Sequence, residues 1–326
     1  MKLATIDNGT RDGELVAVST DLSAMASAGG VAPTLQAALE SWDSAEPRLR
    51  KLAETLNGSS SGTPFDPAKV LAPLPRAYQW IDGSVFKNHL RLMSTAFNRN
   101  PDKEVNYPNP LMYQGGSDSF LGARHEVVLP SEADFIDFEA EIGIILSDVP
   151  MGTKAADAAK YIKLVVLIND VSLRRLAPIE MDMGFGWLQA KPSSAFSLTA
   201  VTPDELGASW KDGRLERPIR IAWNGEHFGA PNGREMSFNF PRLIEHAAYS
   251  RSLSAGTVIG SGTVSNAAYK EVGSACIAER RAIEMIEHGT PKTNFMKFGD
   301  RVQIDMTDDD GRSIFGGIDQ RIRAAS

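Results

Sequence analysis

The chain has 326 residues, 42% of them hydrophobic and 23% charged, the make-up of an ordinary globular protein long enough for one large and one small domain. A formal charge of −7 argues against nucleic acid or an anionic membrane as the main partner, and no apolar run approaches the roughly 20 residues that span a bilayer. Cys276 is the single cysteine, so there is no disulfide framework and a cytoplasmic location is expected.

Residues 1–75 read as a small α/β unit. Two short apolar runs, 2–6 and 14–19, are joined by the turn-rich Asn8-Gly9-Thr10-Arg11-Asp12-Gly13 and predict a hairpin. The opening run lacks the long apolar core of a signal peptide and reads as a first strand. A helical pattern starts at Thr34-Leu35-Gln36 and continues through Trp42, Leu49, Leu52 and Leu56, with a break expected at Glu46-Pro47. Asn57-Gly58-Ser59-Ser60-Ser61-Gly62 reads as a flexible link that ends the unit.

Residues 76–326 form the body. Strands are predicted near 164–169, 219–223, 257–260, 274–279 and 301–306, and helices near 85–97, 155–162 and 240–251. The helices do not alternate regularly with the strands, which excludes a Rossmann or TIM-barrel pattern. The expected class is α+β and strand-rich: a mixed β-sandwich or roll with helical decoration.

The stretch Phe135-Ile136-Asp137-Phe138-Glu139-Ala140-Glu141-Ile142-Gly143-Ile144-Ile145-Leu146 organises the body. Its alternation predicts a strand with Phe138, Ala140 and Ile142 packed inward and Asp137, Glu139 and Glu141 on the other face. Carboxylates held side by side repel, and a hard divalent cation turns that repulsion into binding. An exposed acidic edge strand is the other reading.

Further candidates lie in loops and element ends. The apolar run 164–169 delivers Asp170, either as a ligand beside a pocket or as a helix N-cap one turn before Arg174. Arg174 is either a carboxylate clamp or a surface arginine. Asp82, in a turn, is an oxygen ligand or a cap, and His89 lies two helical turns on, either as a base or as a plain surface histidine. Tyr113 sits in a glycine-rich turn, and Gly260-Ser261-Gly262-Thr263 offers backbone N–H groups to an anion without being a Walker loop. Asp308-Asp309-Asp310-Gly311 reads as a hairpin turn, because the twelfth-position glutamate of a calcium loop is missing.

Taken together, Asp82 with His89, the Phe138-Glu139-Ala140-Glu141 strand, Asn169-Asp170 with Arg174, Lys191 and the 260–265 loop resemble the fumarylacetoacetate hydrolase family, as does the ending Gly299-Asp300-Arg301-Val302 with Ile314-Phe315-Gly316. The resemblance covers the body from about residue 72 onward, and the opening strand and helix resemble the N-terminal domain of a bacterial branch. It implies a two-domain, usually dimeric enzyme holding Mg²⁺ or Ca²⁺ through Asp82, Glu139, Glu141 and Asp170. It also implies that His89 is the general base, that Lys191 stabilises developing charge, and that Tyr113, Arg174, Gly262 and Thr263 contact a small keto-acid substrate such as fumarylacetoacetate. Asp137 falls outside the implied ligand set.

Several positions depart from the family pattern. Ser84 stands where a tyrosine is expected, Ala177 stands for a glutamine, and Arg99 is a loose match to an arginine beyond the histidine. The water-orienting glutamate falls at Ile277 by direct count, with Glu279 as a substitute on the same predicted strand face. The ligands alone do not separate β-diketo acid hydrolysis from acylpyruvate hydrolysis, oxaloacetate decarboxylation or dienoate isomerisation. A non-catalytic ligand-binding protein is the alternative of another class.

Overall fold

A computed structural model of the protein describes residues 1–58, 62–96 and 100–325. Its centre is an 11-stranded sheet that runs from Thr63–Pro64 through Ala24–Ser27, Glu14–Val18, Lys2–Ile6, Ala200–Val201, Ile162–Asn169, Ala140–Leu146, Val258–Gly260 and Trp80–Gly83 to Met112–Gly115, with Ala195–Phe196 pairing on Ile162–Asn169 off this path. A second, five-stranded sheet is built from Glu226–Gly229, Arg220–Trp223, Arg301–Asp305, Ile318–Ala324 and Val127–Leu129. The fold is thus α+β and strand-rich, with mixed sheets.

Side-chain alternation along the central strands divides the interior in two. Ile142, Ile144, Val165 and Leu167 join Ile221, Val302 and Ile304 of the second sheet in one core, so the two sheets form a sandwich. Ile145, Leu164, Val166 and Ile168, from the opposite face, meet Leu35, Leu39, Trp42 and Leu49. The helices Leu35–Glu40 and Trp42–Gly58 therefore cover the outer face of the large sheet. Each fully buried aliphatic side chain contributes roughly 1.5–3 kcal/mol, which explains why central strands read as near-continuous apolar runs.

The small N-terminal part is sewn into the same sheet, with Lys2 opposite Val201 and Leu3 opposite Ala200. The expected helix break at Glu46-Pro47 does not occur: Pro47 lies inside Trp42–Gly58, and the chain breaks at Ser41 instead. Trp42, Ala45, Leu49, Ala53 and Leu56 bury one stripe of this helix. Pro47 sits on the exposed side, where packing of the stripe outweighs the one hydrogen bond it removes.

The acidic strand is neither continuous nor an edge. Ile136–Asp137 pairs with Ser172–Leu173, and Ala140–Leu146 then runs fully buried between Ile162–Asn169 and Val258–Gly260. The pairing of Ser172–Leu173 also rules out Asp170 as a helix N-cap, since the next helix, Ala177–Met183, starts further on. Asp82 is on a strand, Trp80–Gly83, and so shares no helix with His89 of Lys87–Ala96. Met112–Gly115 is a strand rather than a turn, and it sets Tyr113 opposite Asp82.

The predicted strand over 274–279 is also corrected. Ile277–His288 is an α-helix, ended by Gly289 at φ +75. Cys276 is its N-cap, its Sγ accepting from the Glu279 N–H at 3.3 Å. The Asp137 carboxylate accepts from the Ile277 and Ala278 N–H groups at 2.7 and 2.9 Å. These acceptors satisfy the first orphan donors of the helix, and Asp137 comes from a distant segment that a local pattern does not reveal. No helix among the described residues is long and apolar enough to cross a membrane.

Candidate metal centre and catalytic pocket

Three strands deliver three carboxylates to one point. Asp82 ends the inner pairing of Trp80–Gly83, Glu141 lies opposite Ile168, and Asp170 follows directly on Ile162–Asn169. One oxygen from each of Asp82, Glu141 and Asp170 lies within 4.8 Å of the others, and all three residues are buried. A Cβ at Gly260, the partner of Asp82 on the next strand, would overlap the Asp82 Oδ1 and the Trp80 ring. The Gly262 N–H donates to the same Asp82 oxygen at 3.1 Å.

The electrostatics of the cluster are those of a cation site. Burial and then the Asp170 charge push Asp82 up to about 8. Burial and then Asp82 and Asp170 push Glu141 well above the usual carboxylate range. Both buried Glu141 oxygens lack a donor among the described residues. The neighbouring Asp82 carboxylate satisfies them only by sharing a proton. Unpaired buried carboxylate oxygens are costly, and a hard divalent cation removes that cost by direct coordination. The donor set therefore fits a divalent cation.

Glu139, the other implied ligand, lies beside this cluster and is held by cations of the protein. Its Oε1 accepts from the Arg174 guanidinium and, at 3.2 Å, from the Ser172 hydroxyl. Its Oε2 accepts from Lys191 at 3.1 Å. Burial pushes Glu139 up, but Lys191 and Arg174 outweigh it and hold the carboxyl below its ordinary value. Lys191 also donates to Asp170 at 2.6 Å and so bridges the two acids. Burial works against its charge, yet Asp170 and Glu139 together raise its pKa.

Around the carboxylates stand groups suited to proton transfer and anion binding. His89 Nδ1 lies 2.8 Å from Glu279 Oε2, with the Glu279 side chain fully buried and the histidine partly open. Glu279 arrives from the first turn of Ile277–His288, which packs against Lys87–Ala96. An ionised carboxylate at this distance accepts the Nδ1 proton and leaves Nε2 as the free acceptor. The Tyr113 hydroxyl donates to Asp170 Oδ2 at 2.6 Å, and burial followed by the Asp170 charge pushes its pKa well up.

Asp82, Ser84, His89, Tyr113, Glu139, Arg174, Lys191, Gly262 and Thr263 all border one cavity of about 730 Å³. Arg99 lies outside the described residues. Ile277, the direct-count position for the water-orienting glutamate, is buried in the core, whereas Glu279 reaches the histidine. Three contributors were not legible in the sequence. Trp187 stacks on Tyr113 at 5.1 Å and lies under the Lys191 ammonium. Ser194 donates to Asp170 Oδ1 at 2.7 Å. Ser172 reaches Glu139 as described above. Their sequence neighbourhoods carry no local signal.

Comparison with known proteins agrees with this architecture. The chain is 28% identical over 166 residues to 2,4-didehydro-3-deoxy-L-rhamnonate hydrolase of Sphingomonas sp. (strain SKA58), covering 49% of this chain and 55% of that protein. It is 26% identical over 166 residues to the mitochondrial oxaloacetate tautomerase Fahd2a of Rattus norvegicus, covering 50% of each. The chain therefore spans about half the length of the curated relatives it matches. The crystal structure of maleylpyruvate hydrolase from Sphingobium sp. SYK-6 in complex with manganese (II) ion and pyruvate shares the fold over 100% of both chains, with a TM-score of 0.67 and 14% identity. The model for the fumarylacetoacetase N-terminal domain 2 matches residues 1–76, and that for the fumarylacetoacetate (FAA) hydrolase C-terminal matches residues 79–323. The chain belongs to the fumarylacetoacetate hydrolase family.

Proposed function

We propose that this protein is a divalent-cation-dependent hydrolase that cleaves a C–C bond in a β-diketo acid. The observation that carries the reading is the His89–Glu279 pair, 2.8 Å apart, whose histidine borders the same cavity as Asp82 of the buried acidic cluster. Asp82, Glu141 and Asp170 would hold Mg²⁺ or Ca²⁺ with Glu139 beside them, and a cation there would supply Lewis acidity to the keto-acid substrate.

The protein's own groups do the rest. Glu279 fixes the His89 ring so that Nε2 takes a proton from an attacking water. Lys191 is a donor to negative charge developing on the substrate oxygen. Arg174, held by Asp137 at 2.8 Å, presents a guanidinium edge for the substrate carboxylate, and the Gly262 and Thr263 region borders the same space. Ser84 and Tyr113 border the same space. The active form is a homodimer, which sedimentation equilibrium tests.

The experiment is a panel of β-diketo acids, acylpyruvates and oxaloacetate with purified protein and Mg²⁺. Cleavage of a β-diketo acid that is abolished by EDTA and by His89→Ala supports the reading. The matching oxaloacetate tautomerase favours a second reading, in which the same groups move a proton without cleavage. Enolisation of oxaloacetate with no cleavage of any panel member establishes that reading and removes the first.

A further inference from the structure

The cavity next to His89 is far larger than a keto-acid head group, and most of it is walled by carbon. Of its polar lining residues, Asp82, His89, Tyr113, Glu139, Arg174 and Lys191 belong to the groups already described around the carboxylates, and Ser84, Ser94 and Thr263 add small hydroxyl side chains. Much of the remaining wall comes from apolar groups such as Met93 of the His89 helix, Met181 of Ala177–Met183, Ala278, Ala282 and Met285 of the Glu279 helix, and Phe295. Positions 278, 282 and 285 follow the i, i+4, i+7 spacing of one helix face, so this apolar wall is a continuous surface. Two alanines there leave room, and the methionines adapt to irregular shapes.

Among the described residues, Arg281 is the one charged lining residue outside the inner network. Its guanidinium lies over the Phe295 ring, 4.5 Å from the centroid, and donates to the Thr293 carbonyl. One of its N–H groups is committed to Thr293 and its face to Phe295, so a second carboxylate on a substrate tail has only the remaining donors of this one guanidinium to reach. The rest of the outer wall meets a tail mainly with carbon.

We infer that this cavity selects 2-oxo acids whose acyl substituent is a large apolar group, an aromatic ring or an alkyl chain, over those that end in a second carboxylate. The inference rests on the keto-acid reading of the site. A dicarboxylate reaching Arg281 is the competing occupant.

The two are separated by calorimetric titration of the Mg²⁺-loaded protein with oxo acids that offer no cleavable β-dicarbonyl. The series is pyruvate, 2-oxohexanoate, 2-oxooctanoate, phenylpyruvate and 2-oxoadipate. Kd is expected to fall about three- to four-fold for each added methylene, with a negative heat-capacity change. Phenylpyruvate and 2-oxooctanoate are expected to bind about ten-fold or more tighter than 2-oxoadipate. Equal or tighter binding of 2-oxoadipate, lost in Arg281→Met, overturns the inference in favour of the dicarboxylate. In Ala282→Trp, folded by circular dichroism, the ratio of 2-oxooctanoate to pyruvate affinity is expected to drop; an unchanged ratio also overturns it. If the series behaves as expected while no β-diketo acid is turned over, only the hydrolase reading falls. If β-diketo acids are cleaved with a flat series, only the tail selection falls. Absence of binding by every oxo acid removes both.

Discussion

Asp137 and Arg174 form a hydrogen-bonded ion pair of 2.8 Å in which the Asp137 carboxylate is wholly buried. Through Arg174 this acid reaches Glu139, and through the Ile277 and Ala278 N–H groups it anchors the helix that carries Glu279. The third acid of the strand is therefore a strut between the two halves of the pocket. Burial pushes its pKa up and Arg174 counters this, so its charge depends on keeping that partner.

Asp137→Asn keeps the size and an acceptor but removes the charge that matches Arg174 and the helix N-terminus. Removing one member of a buried pair costs about 3–5 kcal/mol. Urea unfolding is expected to show a loss of that order, and a midpoint equal to that of the unaltered protein would refute the strut.

Glu141→Gln is expected to move two measurements in opposite directions. The metal-free protein gains thermal stability at high pH, where Asp82 and Glu141 no longer share a proton, because a neutral amide that donates to Asp82 replaces a second buried charge. Cation affinity, read by calorimetry, drops about ten-fold or more as one charged ligand is lost. Unchanged affinity would remove Glu141 from the ligand set.

The pH dependence of the metal-free protein has a definite sign. Asp82 is raised from an unfolded value of 3.8 to about 8, and Glu141 is shifted the same way. A raised acid favours folding below its unfolded pKa, and the benefit is lost as pH rises through the folded value. Glu139 is shifted down, so its contribution is constant above the unfolded value of 4.5. The melting temperature in EDTA should therefore fall between about pH 5 and pH 8, and saturating Mg²⁺ should reverse the trend because binding releases protons. A flat EDTA profile over that window contradicts the assignment.

His89→Ala and Glu279→Gln test the base and its orienting partner. Each should lower kcat by about 10²- to 10⁴-fold with cation affinity preserved. A variant that loses cation binding instead would place the defect in the metal site.

Gly260→Ala adds a methyl group where Asp82 and Trp80 already stand. The Asp82 carboxylate has to move, so weaker cation binding and a lower melting temperature are expected together. Retention of both would show that the strand crossing tolerates a side chain.

The sequence by itself determined the strand-rich class, the acidic stretch and many of the residues that border the cavity, but not Trp187, Ser172 or Ser194. Alternation is written in neighbouring residues, and the family's motifs are short. What only the tertiary structure decided is which of these residues meet. Asp82, Glu141 and Asp170 converge because Trp80–Gly83, Ala140–Leu146 and Ile162–Asn169 are joined in one sheet, Val258–Gly260 spanning the first two. Strand order is a non-local property. Glu139 is bound by Lys191 and Arg174 through such long-range contacts too, and Asp137, already outside the implied ligand set, takes a role of its own because a helix end from residue 277 docks on it. That docking also turned a predicted strand into a helix, since its first donors find their acceptor 140 residues upstream.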